Sequence, residues 1–271
     1  MDLASIIGLV GGAIIVVVVM ILDGGSPAEL FAVPQAILLI FGGAIMSTAI
    51  TTNLETVTGL PKILASAFTK LKIDAPGSIE LLVSMAERAR KEGLLSLEEP
   101  VKKVQDPFIQ RGLMMVVDGI DAAQIRAVME THIDQVHARN RLGYGFFAAA
   151  GGFAPTFGII GTVMGLISVL KQLDDPAKLA ESIASAFLAT LWGLLSANLI
   201  FLPLGAKLKA KSDEETHIRV MQLEGVLSIL AGENPRIVRD KLTAYMHSEH
   251  KTKGAKEPAG ATPQATEEAG A

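Results

Sequence analysis

Four stretches of the chain, residues 3–22, 30–54, 142–170 and 182–206, contain no charged side chain. A helix needs about 20 apolar residues to cross the hydrocarbon core of a bilayer, and all four stretches meet that length. One such run also fits a buried core helix. Four of them in 271 residues predict an all-α, polytopic membrane protein with four transmembrane helices and a helical cytoplasmic domain. The first run opens Met-Asp-Leu, without the basic leader of a signal peptide, and reads as a retained helix.

Between these runs the pattern changes to an amphipathic helical period. SIELLVSMAERARKEG places Ile79, Leu82, Val83 and Ala86 on one face and Glu87, Arg88, Arg90 and Lys91 largely off it. Gly93 reads as its C-cap, and Ser96 with Glu99 reads as the capping start of another helix. Pro107 predicts a further interruption. QIRAVMETHIDQVHARNR is an amphipathic helix expected to lead directly into the third apolar run. After the fourth run the helical period resumes, and Gly232 and Pro235 divide it into two short helices. Residues 59–70 fit either a helix on the cytoplasmic membrane surface or a buried one. From about His247 onward the chain is polar and rich in Ala, Gly, Pro and Glu, the composition of a disordered tail.

Basic residues orient the spans. Residues 55–141 hold twelve Lys and Arg and residues 207–271 hold ten, whereas the link 23–29 holds none. Lysine and arginine near the membrane favour the cytoplasm, so both termini are expected inside. The predicted organisation is a first transmembrane hairpin at 1–54, a cytoplasmic helical domain at 55–141, a second hairpin at 142–206, cytoplasmic helices at 207–246 and the tail at 247–271.

Composition agrees and excludes much else. Hydrophobic residues make up 50%, charged residues only 19%, and the mean hydropathy is +0.43, against about 25% charge in soluble domains. A net charge of -4 gives no basic excess for nucleic acid. Zero cysteines remove disulfides, thiolate nucleophiles and cysteine metal sites. Five scattered histidines form no ligand motif, and no nucleophile–base pair emerges. The reading is therefore not an enzyme, with neither cofactor nor bound metal.

The third and fourth runs carry the chemistry. Gly151, Gly158 and Gly165 recur every seven residues, so they share one helix face and permit close packing in a bilayer. Ala186, Thr190, Gly193 and Ala197 form a matching stripe of small residues. Pro155 frees the carbonyl one turn earlier, which suits either a packing kink or a wet, oxygen-lined surface with Thr156 and Thr162. Pro203 either kinks the fourth run or ends it, and Asn198 is expected to meet a neighbouring helix. No ionisable residue lies in any run. A chain that moves protons normally needs one, so an acid must come from a partner.

ARKEGLLSLE, GGFAPTFGIIGTVMGL and ATLWGLLSANLIFLP resemble the A-subunit of the bacterial flagellar motor stator, the MotA/PomA family, and more distantly ExbB/TolQ. The resemblance covers roughly residues 1–245. It implies a multi-pass protein of the bacterial inner membrane, with five A-subunits around two B-subunits (MotB/PomB-like). Each B-subunit has a single span that carries the missing acid. Pro155, Thr162, Ala189, Thr190 and Pro203 match the family's ion-path and coupling positions. Arg90, Lys91 and Glu98 match charges that engage the rotor's switch protein, FliG-like. Sodium-driven relatives have a threonine where Ala189 stands, and sodium wants several hard oxygen ligands. The resemblance therefore implies a stator that couples proton flow to torque, with sodium kept open by Thr162. An ExbB/TolQ-like energiser and a non-conducting scaffold remain as alternatives.

Overall fold

The computed structural model describes residues 3–69, 71, 73–170 and 176–246. The expected tail at 247–271 and residues 171–175, between the third and fourth apolar runs, lie outside them. Every described element is helical. In chain order these are α1 (Leu3–Leu22), α2 (Pro34–Ile50), α3 (Leu54–Ala67), α4 (Ala75–Glu92), α5 (Glu98–Val101) and α6 (Pro107–Val117). Then follow α7 (Ala122–Leu170), α8 (Pro176–Leu195), a π-helical turn over Ser196–Phe201, α9 (Leu202–Leu230) and α10 (Pro235–Thr243).

Among the described residues three helices, not four, are long and apolar enough to cross a membrane: Ser5–Leu22, Ala122–Leu170 and Leu179–Leu230. The expected span at 30–54 is the exception, because its uncharged run is not one continuous helix. Pro27 opens a separate 3₁₀ turn, Pro27–Phe31, and Pro34 fixes the first turn of α2. At the other end the Thr51 hydroxyl donates to the Thr48 carbonyl at 2.8 Å, and Asn53 already caps α3 by accepting from the Thr56 N–H at 3.0 Å. What remains is 17 residues, roughly 26 Å of helix rise.

The chain divides into two compact units, residues 1–73 with 130–217, and 74–129 with 218–271. The first contains the apolar helices. Its core joins Ile40 and Ala44 of α2, Phe146, Phe147, Ala150 and Ala154 of α7, and Ala197 and Phe201 of the π turn. α1 leaves the apolar window Ser5–Leu22 unburied, as lipid or partner contact requires. α3 lies against α7: a Cβ at Gly143 would stand 3.1 Å from Ile63. The ammonium of Lys211 donates to the carbonyls of Ser66, at 2.7 Å, and Thr69, covering the orphan acceptors at the end of α3.

The second unit is a helical core of ordinary soluble type. Ile79, Leu82, Val83 and Ala86 are all buried on the predicted face of α4, and Gly93 (φ +85°) ends the helix with its N–H on the Ala89 carbonyl at 2.9 Å. Leu113 of α6, Ile125 of α7, Val226 of α9 and Leu242 of α10 are fully buried with them. Gly225 sits close under two leucines: a Cβ there would fall 2.7 Å from the Leu82 Cδ1 and 3.1 Å from the Leu242 Cδ1, so those side chains would have to shift. Three local expectations are corrected. Ser96 is not a helix cap but sits inside the 3₁₀ turn Leu94–Leu97, donating to the Gly93 carbonyl at 2.7 Å. Pro107 opens α6 instead of interrupting a helix, with Asp106 as its N-cap. The segment after the fourth apolar run is not a short helix, since α9 continues unbroken to Leu230 before Gly232 (φ +68°) turns the chain.

A polar network holds the second unit together. Arg219 donates to both Asp106 carboxylate oxygens at 2.7 Å and lies over the Phe108 ring at 5.0 Å. The fully buried Gln222 donates to Ser78 at 2.9 Å and to Asp106 at 3.3 Å. Burial pushes the Asp106 carboxyl up, but the hydrogen bonds and charge of Arg219, with the Phe108 N–H and the Gln222 amide, outweigh it. The carboxyl is held below the usual aspartate range. Arg239 pairs with Glu80 through both carboxylate oxygens, one at 2.9 Å, tying α10 to α4.

Candidate functional site

The two stripes of small residues meet. A Cβ added at Gly158 would lie 3.1 Å from the Ala189 carbonyl oxygen and 3.1 Å from the Gly193 Cα, and one added at Gly193 would lie 2.9 Å from the Gly158 Cα. α7 and α8 therefore touch backbone to backbone, which side chains larger than hydrogen forbid. Gly165 faces Ala186, and Gly161 faces the Ala189 methyl and Leu39 of α2.

This close approach brings Thr162 and Thr190 into direct hydroxyl–hydroxyl contact. The Thr162 oxygen is also 3.0 Å from the Ala186 carbonyl of α8 and 3.1 Å from the Gly158 carbonyl of its own helix. Each hydroxyl owns one proton, so with Thr162 donating to a carbonyl, Thr190 donates to Thr162. Four oxygens thus converge at one half-buried point between the helices. The hydroxyls are satisfied by protein acceptors, and Ala189 adds no further oxygen, because its methyl is buried against Gly161.

Pro155 lies inside α7, two turns before Thr162, and does not break it. Thr156 does not join the threonine contact: it is exposed and donates to the Phe153 carbonyl at 2.6 Å. Pro203 does not end the fourth run either. It is exposed and follows the π turn Ser196–Phe201, in which the Leu202 N–H reaches back five residues to the Ala197 carbonyl. Proline has no N–H for the carbonyl four residues earlier, and here it follows directly on the π turn, with α9 continuing to Leu230. Asn198 is exposed and donates to the Leu194 carbonyl of its own helix at 2.9 Å, so it does not meet a neighbouring helix in this chain.

Trp192 carries no signal in its spacing, only in being the one tryptophan of the chain. Its indole N–H donates to the Leu30 carbonyl at 2.7 Å, and Phe31 and Phe41 stand edge-on to its ring. Flanking the threonine pair, a cavity of about 400 Å³ opens between α2, α7 and α8, lined by Gln35, Ser168, Glu181, Ser182 and Ser185 among apolar neighbours.

Arg90, Lys91 and Glu98 belong to the second unit and are all exposed, Arg90 and Lys91 in the last turn of α4 and Glu98 beyond the Gly93 corner. Glu98 is 3.3 Å from Lys102, and Leu95, between Lys91 and Glu98 in the chain, is 72% exposed. Exposed charges beside a bare leucine suit a contact that forms and breaks.

Two family models match the chain: Motility protein A N-terminal over residues 6–93 and the MotA/TolQ/ExbB proton channel family over residues 100–221. The chain is 38% identical over 248 residues to the chemotaxis protein PomA of Vibrio alginolyticus, covering 91% of this chain and 96% of that protein. It is 35% identical to the motility protein A of Bacillus subtilis, covering 95% of each. The solved structure of C. jejuni MotAB aligns with a TM-score of 0.88 at 31% identity, over 92% of this chain and 97% of that one.

Proposed function

This chain belongs to the MotA/PomA flagellar stator family, and on that premise we propose that it is the A-subunit of a proton-driven stator that turns the flagellar rotor. One observation carries the reading. The oxygen cluster of Thr162, Thr190, Gly158 and Ala186 lies between two helices whose apolar runs contain no ionisable residue. A proton crossing there needs an acid from another chain. The partner is a B-type subunit with a single span and an intramembrane carboxylate, two copies within a ring of five A-subunits. The bare apolar side of α7, including Ile159, Val163 and Ile167, is surface for such a packing.

Proton use is favoured over sodium by the ligand count. Thr162 and Thr190 supply two hydroxyl oxygens, and position 189 supplies a methyl where a threonine would add a third. In this reading α2 is a fourth, short span, with local bilayer thinning offsetting its length. Residues 1–54 and 142–206 form the two membrane hairpins, 55–141 and 207–246 are cytoplasmic, and both termini face the cytoplasm. Pro155 and Pro203 couple ion passage to helix movement, while Arg90, Lys91 and Glu98 contact a FliG-like rotor protein. Deleting the gene in a strain without a second stator tests the assignment. Motility should disappear and return on complementation together with the cognate B-subunit; a deletion strain that swims normally would end it.

A further inference from the structure

The external link before α2 is held to α8 by a contact that packing alone does not require. Residues 26–31 form a rigid, capped turn: Pro27 occupies its first position and the Ser26 N–H donates to Glu29 Oε1 at 3.2 Å. That turn presents the Leu30 carbonyl to the Trp192 indole N–H at 2.7 Å. Leu30 and Val33 are buried around it, at 5% and 4% exposure. A half-buried indole gains from a partner for its N–H, and the carbonyl of the buried Leu30 gains from a donor. The contact satisfies both.

Its position on α8 gives it a second consequence. Trp192 follows Thr190 by two residues, about 200° around the helix, so the two side chains leave α8 on nearly opposite sides. Thr190, Ala186 and Gly193 face α7, while Trp192 faces the link and α2 through Leu30, Phe31 and Phe41. On the glycine–alanine face toward α7, the Thr162 hydroxyl, on Thr190 and the Ala186 carbonyl, is the side-chain contact that resists rotation of α8 about its axis. Trp192 adds resistance from the other side.

We infer that Trp192 is a positioning residue for the ion path: its hydrogen bond to Leu30 sets the rotation of α8 and thereby places the Thr190 hydroxyl against Thr162. This rests on the reading of α7 and α8 as the ion-path wall. The outer hairpin is then a mechanical part of the stator and not a passive layer, since any turn of α8 must break or drag the Leu30 contact.

Because the chain has a single tryptophan, the N–H can be removed without changing shape. An amber codon at position 192 introduces β-(3-benzothienyl)alanine, in which sulfur replaces the indole N–H. The full-length chain is expressed with its cognate B-subunit in a strain without other stators, and a bead on the flagellar stub reports the speed increment per stator unit. That increment does not depend on how many units assemble. Loss of one intramolecular hydrogen bond shifts a local equilibrium by about 3- to 10-fold, so the increment should fall about threefold or more at unchanged membrane abundance. Trp192→Phe, which also lacks the donor, should fall at least as far. An unchanged increment with the isostere would overturn the inference while leaving the stator reading intact. Failure of the isostere complex to assemble would also overturn it, in favour of a purely structural bond. A wild-type chain that restores no rotation would instead remove the ion-path reading on which it rests.

Discussion

Gly193→Ala places one methyl group at a backbone-to-backbone contact between α7 and α8. The new Cβ would stand 2.9 Å from the Gly158 Cα, 3.0 Å from the Ala154 carbonyl oxygen and 3.3 Å from the Gly158 N. All three neighbours are backbone, so no rotamer change relieves the clash and the helices must separate. Overpacking of this kind costs about 1–3 kcal/mol. The gain in helix propensity from glycine to alanine returns at most about 1 kcal/mol, leaving a net loss of about 0–2 kcal/mol against wild type and about 1–3 kcal/mol against a glycine-to-alanine control elsewhere on the helix. The same separation lengthens the Thr162–Ala186 bond, now 3.0 Å, and loosens the threonine contact beside it. Gly145→Ala on α7 is the control, because a Cβ there meets nothing within 4 Å, and it should leave stability unchanged or raise it by up to about 1 kcal/mol. Unfolding of the purified, detergent-solubilised protein by sodium dodecyl sulfate measures both. Equal midpoints for Gly193→Ala, Gly145→Ala and wild type would refute the backbone-contact account of this interface.

Ala189→Thr should not convert the protein to sodium dependence, because the added branch enters a buried site against Gly161. It should lower stability by about 1–2 kcal/mol, and swimming compared in sodium and potassium media checks the ion. Asp106 is held below its ordinary value, so its contribution is present above about pH 4 and is lost as pH falls through the lowered value. Asp106→Asn should therefore cost about 2 kcal/mol near neutrality and flatten the acid limb of the thermal stability profile measured from pH 7 to pH 3. Charge reversal by Arg90→Glu or Glu98→Lys should reduce swimming severalfold while membrane abundance, read by immunoblot, stays at the wild-type level.

Much of this architecture is legible from local pattern. The buried face of α4, the passage of an amphipathic helix into an apolar one at α7, and the matched small residues of α7 and α8 all follow from periodicity, because each is a property of one helix surface. What periodicity misses depends on a partner distant in sequence or on backbone chemistry inside a run. The run 30–54 carries no charge, yet the 3₁₀ turn ending at Phe31, Pro34 and Asn53 divide it. Pro203 reads as a kink or a stop, yet it lies just after a π turn and the helix continues through it. Asn198 reads as an interhelical donor, yet its own Leu194 carbonyl is nearer at hand. Of the ion-path candidates, Thr162, Ala189 and Thr190 come together at the α7–α8 contact, whereas Pro155 lies two turns earlier on α7 and Pro203 on α9. Trp192 is invisible to spacing, since its partner is a carbonyl 162 residues earlier.

The central claim is that proton flow through this subunit and its B-partner turns the rotor. It is tested by the swimming speed of a stator-deleted strain carrying only this pair, measured as sodium is withdrawn at constant proton motive force. Speed should hold without sodium and vanish when a protonophore collapses the proton gradient. Speed that collapses as sodium is removed, with the proton motive force intact, would contradict the account.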